Sequence, residues 1–171
     1  MDGEIKIDDT KRLAKFVAQH RYIDKIWMNS PGGILVEGIA IGRWLRHQGL
    51  LAEIPAQATC ASACVYAFSG APLRRVAKTG RLGVHMFSLS NDTSLVKNVT
   101  AIINKHGPNA AVAVIQFLEQ ISAQIASKKA EFLIEMSISL QLMTPTTETS
   151  HDDIYWLSRM ELHNFNLVNI D

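Results

Sequence analysis

The stretch WMNSPGGILVEGIAIGRWLR, residues 27–46, contains in order the end of an apolar strand, a tight turn and a helix. The SPGG sequence at 30–33 is a strong turn signal, because proline presets one backbone angle and glycine admits conformations closed to other residues. Apolar residues then recur every three or four positions, which predicts a helix over 34–45 that ends at Gly49. The strand before the turn is predicted over 25–29.

Around this stretch, short apolar segments alternate with helical ones. Such alternation predicts an α/β domain in which helices pack on a mainly parallel sheet. The predicted order is a strand at 4–7, a helix capped by Asp8 or Asp9, the strand and helix above, a strand at 50–58, a small-residue helix at 59–70, and strands at 74–77 and 80–87.

The second half of the chain is mainly helical in pattern. Residues 88–109 are polar and interrupted by His-Gly-Pro, and a long helical region is predicted over 110–142. A loop at 144–150, a short helix opened by Asp152 or Asp153 and a last strand at 166–170 complete the prediction. The apolar positions of the long region are Val112, Ile115, Leu118, Ile121, Ile125 and Phe132.

The composition is that of an ordinary globular chain. Its 171 residues suit one domain, and a formal net charge of +1 gives no reason to expect a nucleic-acid partner. The histidines form no metal-ligand cluster, so neither a metal nor a cofactor is expected. The acidic start MDGEIKIDD is unlike a signal peptide, and no apolar run reaches the ~18 residues of a membrane span. A cytoplasmic location is therefore expected, although a removed leader would leave no trace.

The two cysteines, Cys60 and Cys64, are predicted to be buried small residues. On one helix their spacing points both side chains the same way, but helical geometry seldom permits the close approach that a disulfide needs. A zinc site is not expected, because the sequence offers no further ligands nearby.

Three local features could carry chemistry together. The turn at 30–33 can present backbone N–H groups, as an oxyanion hole requires. Ser62 lies among small residues at a helix start, and His85 follows Gly-Val at the end of a strand. A serine hydroxyl becomes a nucleophile only beside a base. In a right-handed α/β domain these positions can meet at one edge of the sheet.

The segments 27–46 and ATCASACVYAFSGAPLRRVAKTGRLGVHMF, residues 58–87, resemble the proteolytic subunits of Clp protease. The resemblance is closest to uncharacterised bacterial ClpP-like proteins with a Cys-Ala-Ser-Ala-Cys motif, and it returns weakly at 155–168. It implies a ClpP/crotonase-like fold of repeated β-β-α units in a single domain over 1–171. In that domain, residues 88–150 would form a helical handle or insertion.

Carried over by position, the resemblance implies a serine peptidase site. Ser62 would attack the scissile carbonyl, and His85 would take its proton and return it to the leaving amine. The backbone N–H groups of Gly33 and Ala63 would hold the oxyanion, with Gly32 as the alternative on the turn.

The third member of the triad departs from the family pattern. Aligning the terminal helix places the family's aspartate near Ser150, which carries no acid. Asp152 is the preferred third member, with Asp153 and Glu148 as alternatives. The resemblance further implies peptide or unfolded-protein substrates and a homo-oligomer. Coupling to an unfoldase is not supported, because the axial loops of the family would precede the point where this chain begins.

Three further functions remain open at this level. One is that of an inactive ClpP-like subunit for assembly or regulation, which the missing aspartate favours. Another is that of a crotonase-type acyl-CoA enzyme, for which Glu37 is the carboxylate nearest the turn. The last is a Ser–Lys dyad like that of signal peptide peptidases, with Lys78 as the nearest basic residue.

Overall fold

The computed structural model describes residues 1–20, 22–88, 93–107 and 109–170. The strands in these ranges are β1 (Lys25–Trp27), β2 (Leu51–Ile54), β3 (Thr59–Ala61), β4 (Leu73–Val76), β5 (Arg81–Val84) and β6 (Tyr155–Trp156). The α-helices are α1 (Asp9–Gln19), α2 (Leu35–Gln48), α3 (Ala63–Gly70), α4 (Thr93–His106), α5 (Asn109–Glu135), α6 (Met143–Glu148) and α7 (Arg159–Asn164).

The strands form two small sheets. In the first, the order is β1-β2-β4 and all pairs are parallel, with Ala52 opposite both Ile26 and Arg74. In the second, β3 and β5 are parallel and β6 runs antiparallel to β5. The prediction of an α/β fold with a mainly parallel sheet is therefore confirmed.

Helices α2 and α3 pack backbone against backbone, which fixes the position of α3. A Cβ added to Gly38 would lie 2.3 Å from the Ala63 carbonyl oxygen, and one at Gly42 would lie 2.4 Å from the Tyr66 carbonyl oxygen. Near the other end of the contact, a Cβ on Gly70 would lie 2.1 Å from the Gly42 carbonyl oxygen. Only glycine permits this approach, and all eight residues of α3 are buried.

The segment 59–70 is not one helix, and this corrects the prediction for the cysteines. The chain leaves β3 at Ala61, turns at Ser62 and enters α3, so Cys60 and Cys64 lie on different elements. Their Cα atoms are 5.3 Å apart and the two residues form a disulfide. The helical geometry that argued against the bond is absent, because the turn brings the two side chains together. Both residues are fully buried, as predicted.

Other boundaries also differ from the sequence pattern. Helix α4 lies within the polar region 88–109, and α6 occupies most of the predicted loop at 144–150. The helix expected to open at Asp152 or Asp153 is instead α7, which begins after Ser158 with a capping box to Glu161. Residues 166–170 form no strand.

The buried guanidinium of Arg74 ties the chain's last described segment to the core. It donates to the carbonyl oxygens of Leu167 at 3.1 Å, Ala71 at 2.6 Å and Asn166 at 2.9 Å. These bonds offset the free-energy cost of burying the charged guanidinium. They also hold the segment in place without the backbone hydrogen bonds of a β-sheet. A strand is therefore not needed to anchor 166–170.

Within the described ranges, one helical segment, Ala110–Glu135, is long and apolar enough to cross a membrane by length and composition. Core helices of soluble proteins meet the same criterion, but no residue of the relevant window is buried here. A single helix of this kind is weak evidence for a span, so the expectation that the chain has no membrane span stays a prediction.

Candidate functional site

A cavity of about 320 Å³ lies where α3, the end of β5 and the C-terminal part of α5 meet. It brings together Ser62, His85, Gly33 and Ala63, four of the predicted site residues. Gly32 packs directly behind them, since a Cβ on it would lie 2.6 Å from Ser62 Cβ. The other lining residues are Glu4, Pro31, Leu35, Tyr66, Val84, Met86, Phe87, Ser88, Lys129, Thr146 and His151.

Ser62 occupies the turn between β3 and α3 with φ 55° and ψ −123°. A positive φ is costly for a residue with a Cβ and persists only where the surroundings impose it. Here the Ser62 amide donates to the Gly83 carbonyl oxygen at 3.1 Å, and the disulfide joins the residues two positions before and after. The strand, the helix and the covalent bridge together hold the hydroxyl at the cavity wall.

Two backbone N–H groups beside Ser62 are free to bind an anion. As the first residue of α3, Ala63 has no intrahelical acceptor, and the Gly33 N–H donates to no acceptor within the described ranges. The Gly32 N–H is already donated to Ser30 Oγ at 3.1 Å. Of the two turn positions proposed from sequence, Gly33 is therefore the available donor.

The backbone conformation and close packing at position 33 require a glycine. Its φ is +135°, and an added Cβ would lie 2.2 Å from the Ile5 carbonyl oxygen. The Ile5 backbone bonds to both sides of this residue, through Gly32 O at 2.7 Å and through the Ile34 N–H at 3.0 Å. The N-terminal segment thus holds the turn in the orientation that exposes the Gly33 N–H.

His85 follows β5 directly, and the next residue is fixed by a bond from the Met86 N–H to the Thr149 carbonyl oxygen at 2.9 Å. The His85 Nδ1 atom is buried and has no hydrogen-bond partner among the described residues. Over the same ranges, no hydrogen bond joins its imidazole to the Ser62 hydroxyl. Both groups line one cavity without a bond between them.

The surroundings of His85 disfavour its charged form. Burial is the main cause and lowers the pKa of His85 below its usual value. The Met86 backbone opposes this shift in part, and the nearby charges of Lys129 and His151 add smaller effects in the lowering direction. The imidazole is therefore neutral at pH 7 and able to accept a proton.

None of the three carboxylates considered for the triad lines the cavity. Asp152 is exposed and accepts a hydrogen bond from Ser150 Oγ, which lowers the pKa of this carboxyl. Asp153 accepts from the Ile154 N–H at 2.7 Å, and Glu148 ends α6. The structure does not bring Asp152 to His85, because its carboxylate turns toward its own loop.

Lys129 is the cavity residue that the sequence reasoning missed. It is 6% exposed, and burial lowers the pKa of its ammonium group to about 8. The signal was present in the sequence, because position 129 continues the helical spacing of Ile121, Ile125 and Phe132. A lysine in line with these apolar positions stands out, because lysine is almost never fully buried unless it is paired.

The two residues proposed from the sequence for an acyl-CoA enzyme and for a Ser–Lys dyad, Glu37 and Lys78, both lie away from the cavity. Glu37 accepts two hydrogen bonds from Thr10, at 2.8 Å from the amide and 2.6 Å from the hydroxyl, and does not line the cavity. Lys78 is exposed in the turn between β4 and β5. Across the described residues, no group of three or more acidic, histidine or cysteine side chains could hold a metal ion.

Comparison with known proteins supports the fold. No protein-family model matches the chain, and no curated protein matches it. Among solved structures, a point mutant of ClpP1 from Listeria monocytogenes matches with a TM-score of 0.58, over 98% of this chain and 86% of that one. The two sequences are 17% identical. The chain therefore has a ClpP-like fold.

Proposed function

We propose that this chain is a ClpP-like serine hydrolase that cleaves peptide bonds, with Ser62 as the nucleophile. The observation that carries the proposal is the position of Ser62. It lies on a strained strand-to-helix turn, at a cavity wall beside two free N–H groups. Strand-to-helix turns of this kind expose catalytic serines in other hydrolases, and strain clusters at functional sites.

The proposed reaction uses the two sides of the cavity in sequence. Ser62 Oγ attacks the scissile carbonyl carbon while His85 accepts the hydroxyl proton. The Gly33 and Ala63 N–H groups donate to the oxyanion that forms. His85 then gives its proton to the leaving amine, and water hydrolyses the acyl-enzyme by the same steps. This scheme gives no role to Asp152.

One observation favours a second candidate, an inactive subunit for assembly or regulation. The Nδ1 atom of His85 lacks a partner among the described residues, so no carboxylate fixes the tautomer or stabilises the imidazolium. A site without that support is slower than a full triad. Hydrolase and inactive subunit therefore differ in whether Ser62 reacts at all.

For substrate and assembly, we propose short or unfolded peptides and a homo-oligomer. The helices α4 and α5 would form the handle that contacts another copy, because apolar side chains along them are exposed in the single chain. These exposed residues are Val96, Ile102, Val112, Ile115 and Phe117.

The test is labelling with a fluorophosphonate probe, comparing the wild type with Ser62→Ala. We expect the wild-type chain to be labelled and the variant to be silent, because only an activated hydroxyl attacks phosphorus. Ser69 provides the control, since its buried hydroxyl lies on α3 away from the cavity and Ser69→Ala should label normally. A folded wild type that takes no label would favour the inactive subunit.

A further inference from the structure

Lys129 is a buried cation without a counter-ion in the part of the chain that the structure describes. It lies near the end of α5, is 6% exposed and lines the same cavity as Ser62 and His85. Its Nζ lies 5.7 Å from the centre of the Tyr66 ring, and it forms no ion pair with a described residue. Charged side chains are almost never this buried unless paired.

The groups that face the cavity do not neutralise this charge. His85 and His151 are neutral or cationic, and Tyr66 is a buried phenol whose raised pKa keeps it protonated. The one carboxylate among the described lining residues is Glu4, which is exposed and lies beside Gly33 at the turn. An anion entering the cavity would therefore meet an uncompensated positive charge.

We propose that Lys129 binds a carboxylate of the substrate, so that the cavity selects carboxylate-bearing peptides for attack by Ser62. This inference rests on the proposed hydrolase function. A peptide carries such a group at its C-terminus or on acidic side chains, and a cavity of about 320 Å³ admits only a small part of one. The ammonium is a point charge with three donors, suited to one carboxylate at close range.

The experiment compares two esters that differ only in charge, the p-nitrophenyl esters of glutarate and of glutaramic acid. We expect the wild type to favour the carboxylate ester in kcat/KM by roughly 10- to 100-fold, as for a charge-assisted hydrogen bond. Lys129→Met should lower this ratio to about 1, and Lys129→Arg should retain part of it. Lys128→Met is the matched control, because that neighbour is exposed and should leave both values unchanged.

Two results would overturn the inference. One is a wild type with no preference for the carboxylate ester. The other is an equal loss on both esters in Lys129→Met, which would make Lys129 a general base instead.

If the preference is found, tetrapeptides identify the carboxylate that Lys129 binds. Peptides with a free or an amidated C-terminus test the C-terminal carboxylate, and peptides with an internal glutamate or glutamine test an acidic side chain.

A binding measurement separates failure of this inference from failure of the proposed function. Calorimetry of glutarate with Ser62→Ala should detect binding that weakens above pH ~8, where Lys129 loses its proton. Binding in the absence of probe labelling would sink the hydrolase but keep the carboxylate site. Labelling of the wild type without glutarate binding would keep the proposed hydrolase but contradict the carboxylate site.

Discussion

The two walls of the cavity are built in different ways. The oxyanion wall, formed by Gly33, Ser62 and Ala63, is made of backbone held by a glycine turn, a helix start and a disulfide. The imidazole wall, which carries His85, Lys129 and His151, is made of basic side chains with no carboxylate among them. The wall proposed to hold the oxyanion is thus fixed by backbone and a covalent bridge, whereas the imidazole on the facing wall has no hydrogen-bond partner at Nδ1 among the described residues.

The largest expected effect is on the imidazole wall. His85→Ala should lower kcat/KM by roughly 10²- to 10⁴-fold, as loss of a general base does. The wild-type profile of kcat/KM should rise with pH through the pKa of His85, and this limb should lie below pH 6.5 because burial disfavours the imidazolium. Steady-state kinetics from pH 4 to 9 measure both.

Asp152→Asn is the matched control for that prediction. Its exposed carboxylate contacts Ser150 and not His85, so activity should stay about unchanged. If Asp152→Asn loses activity on the scale of His85→Ala, the loop rearranges in the working enzyme and the two-residue scheme is wrong.

Lys129→Met should stabilise the folded protein at pH 7. The folded pKa of about 8 lies below the ordinary 10.5, so the unfolded chain binds more protons between these values. The penalty from Lys129 is therefore full below pH 8, worth up to roughly 3 kcal/mol, and fades as the pH rises toward 10.5. Urea unfolding of both proteins at pH 7 and pH 10 measures it, and a gain that stays constant with pH would contradict this account.

The oxyanion wall should depend on its covalent bridge. The double variant Cys60→Ala/Cys64→Ala should lose roughly 2 kcal/mol of unfolding free energy, as expected for a five-residue loop, and should label more slowly with the probe. Thiol titration of the denatured wild type gives the control. Two free thiols there would refute the bridge, whereas none would weigh against the expected cytoplasmic location, because disulfides persist mainly in oxidising compartments.

The smallest effect concerns backbone strain at the nucleophile. Ser62→Gly should raise the unfolding free energy by about 1 kcal/mol while abolishing labelling, because glycine adopts the positive φ at low cost. Ser62→Ala keeps a Cβ and should leave stability nearly unchanged. Equal stabilities of the two variants would show that the turn stores no strain.

The sequence predicted most elements of the first half of the fold because its signals there are local, but the strand expected at 4–7 is only an isolated bridge between Ile5 and Gly33. The turn at 30–33, the helix after it and the strands around 51–54 and 81–84 follow from glycine, proline and apolar spacing. The segment 59–70 was mistaken for one helix because small residues suit many conformations. Its division at Ser62 depends on the partner strand and on the packing of α2, neither of which the local pattern records.

The candidate site likewise contains residues that could be predicted from local motifs and residues that could not. The serine, the histidine and the two N–H donors could be named from motifs, and the structure brings them to one cavity. Lys129 could not be placed there, because α5 reaches the cavity through a long-range contact. The third triad position could not be settled either, since the choice among nearby acids depends on how the loop after α6 turns.

The glycine contact between α2 and α3 has a consequence for how such a protein can change. No side chain separates the two backbones at Gly38 and Gly42, so no change of rotamer can absorb a shift of α3, and Ser62 at its start is held firmly in place. The residues of the opposite wall are long side chains on other elements, and exchanging them leaves that contact untouched. Substitutions on the imidazole wall can therefore change which substrates bind while the backbone of the oxyanion wall keeps its position.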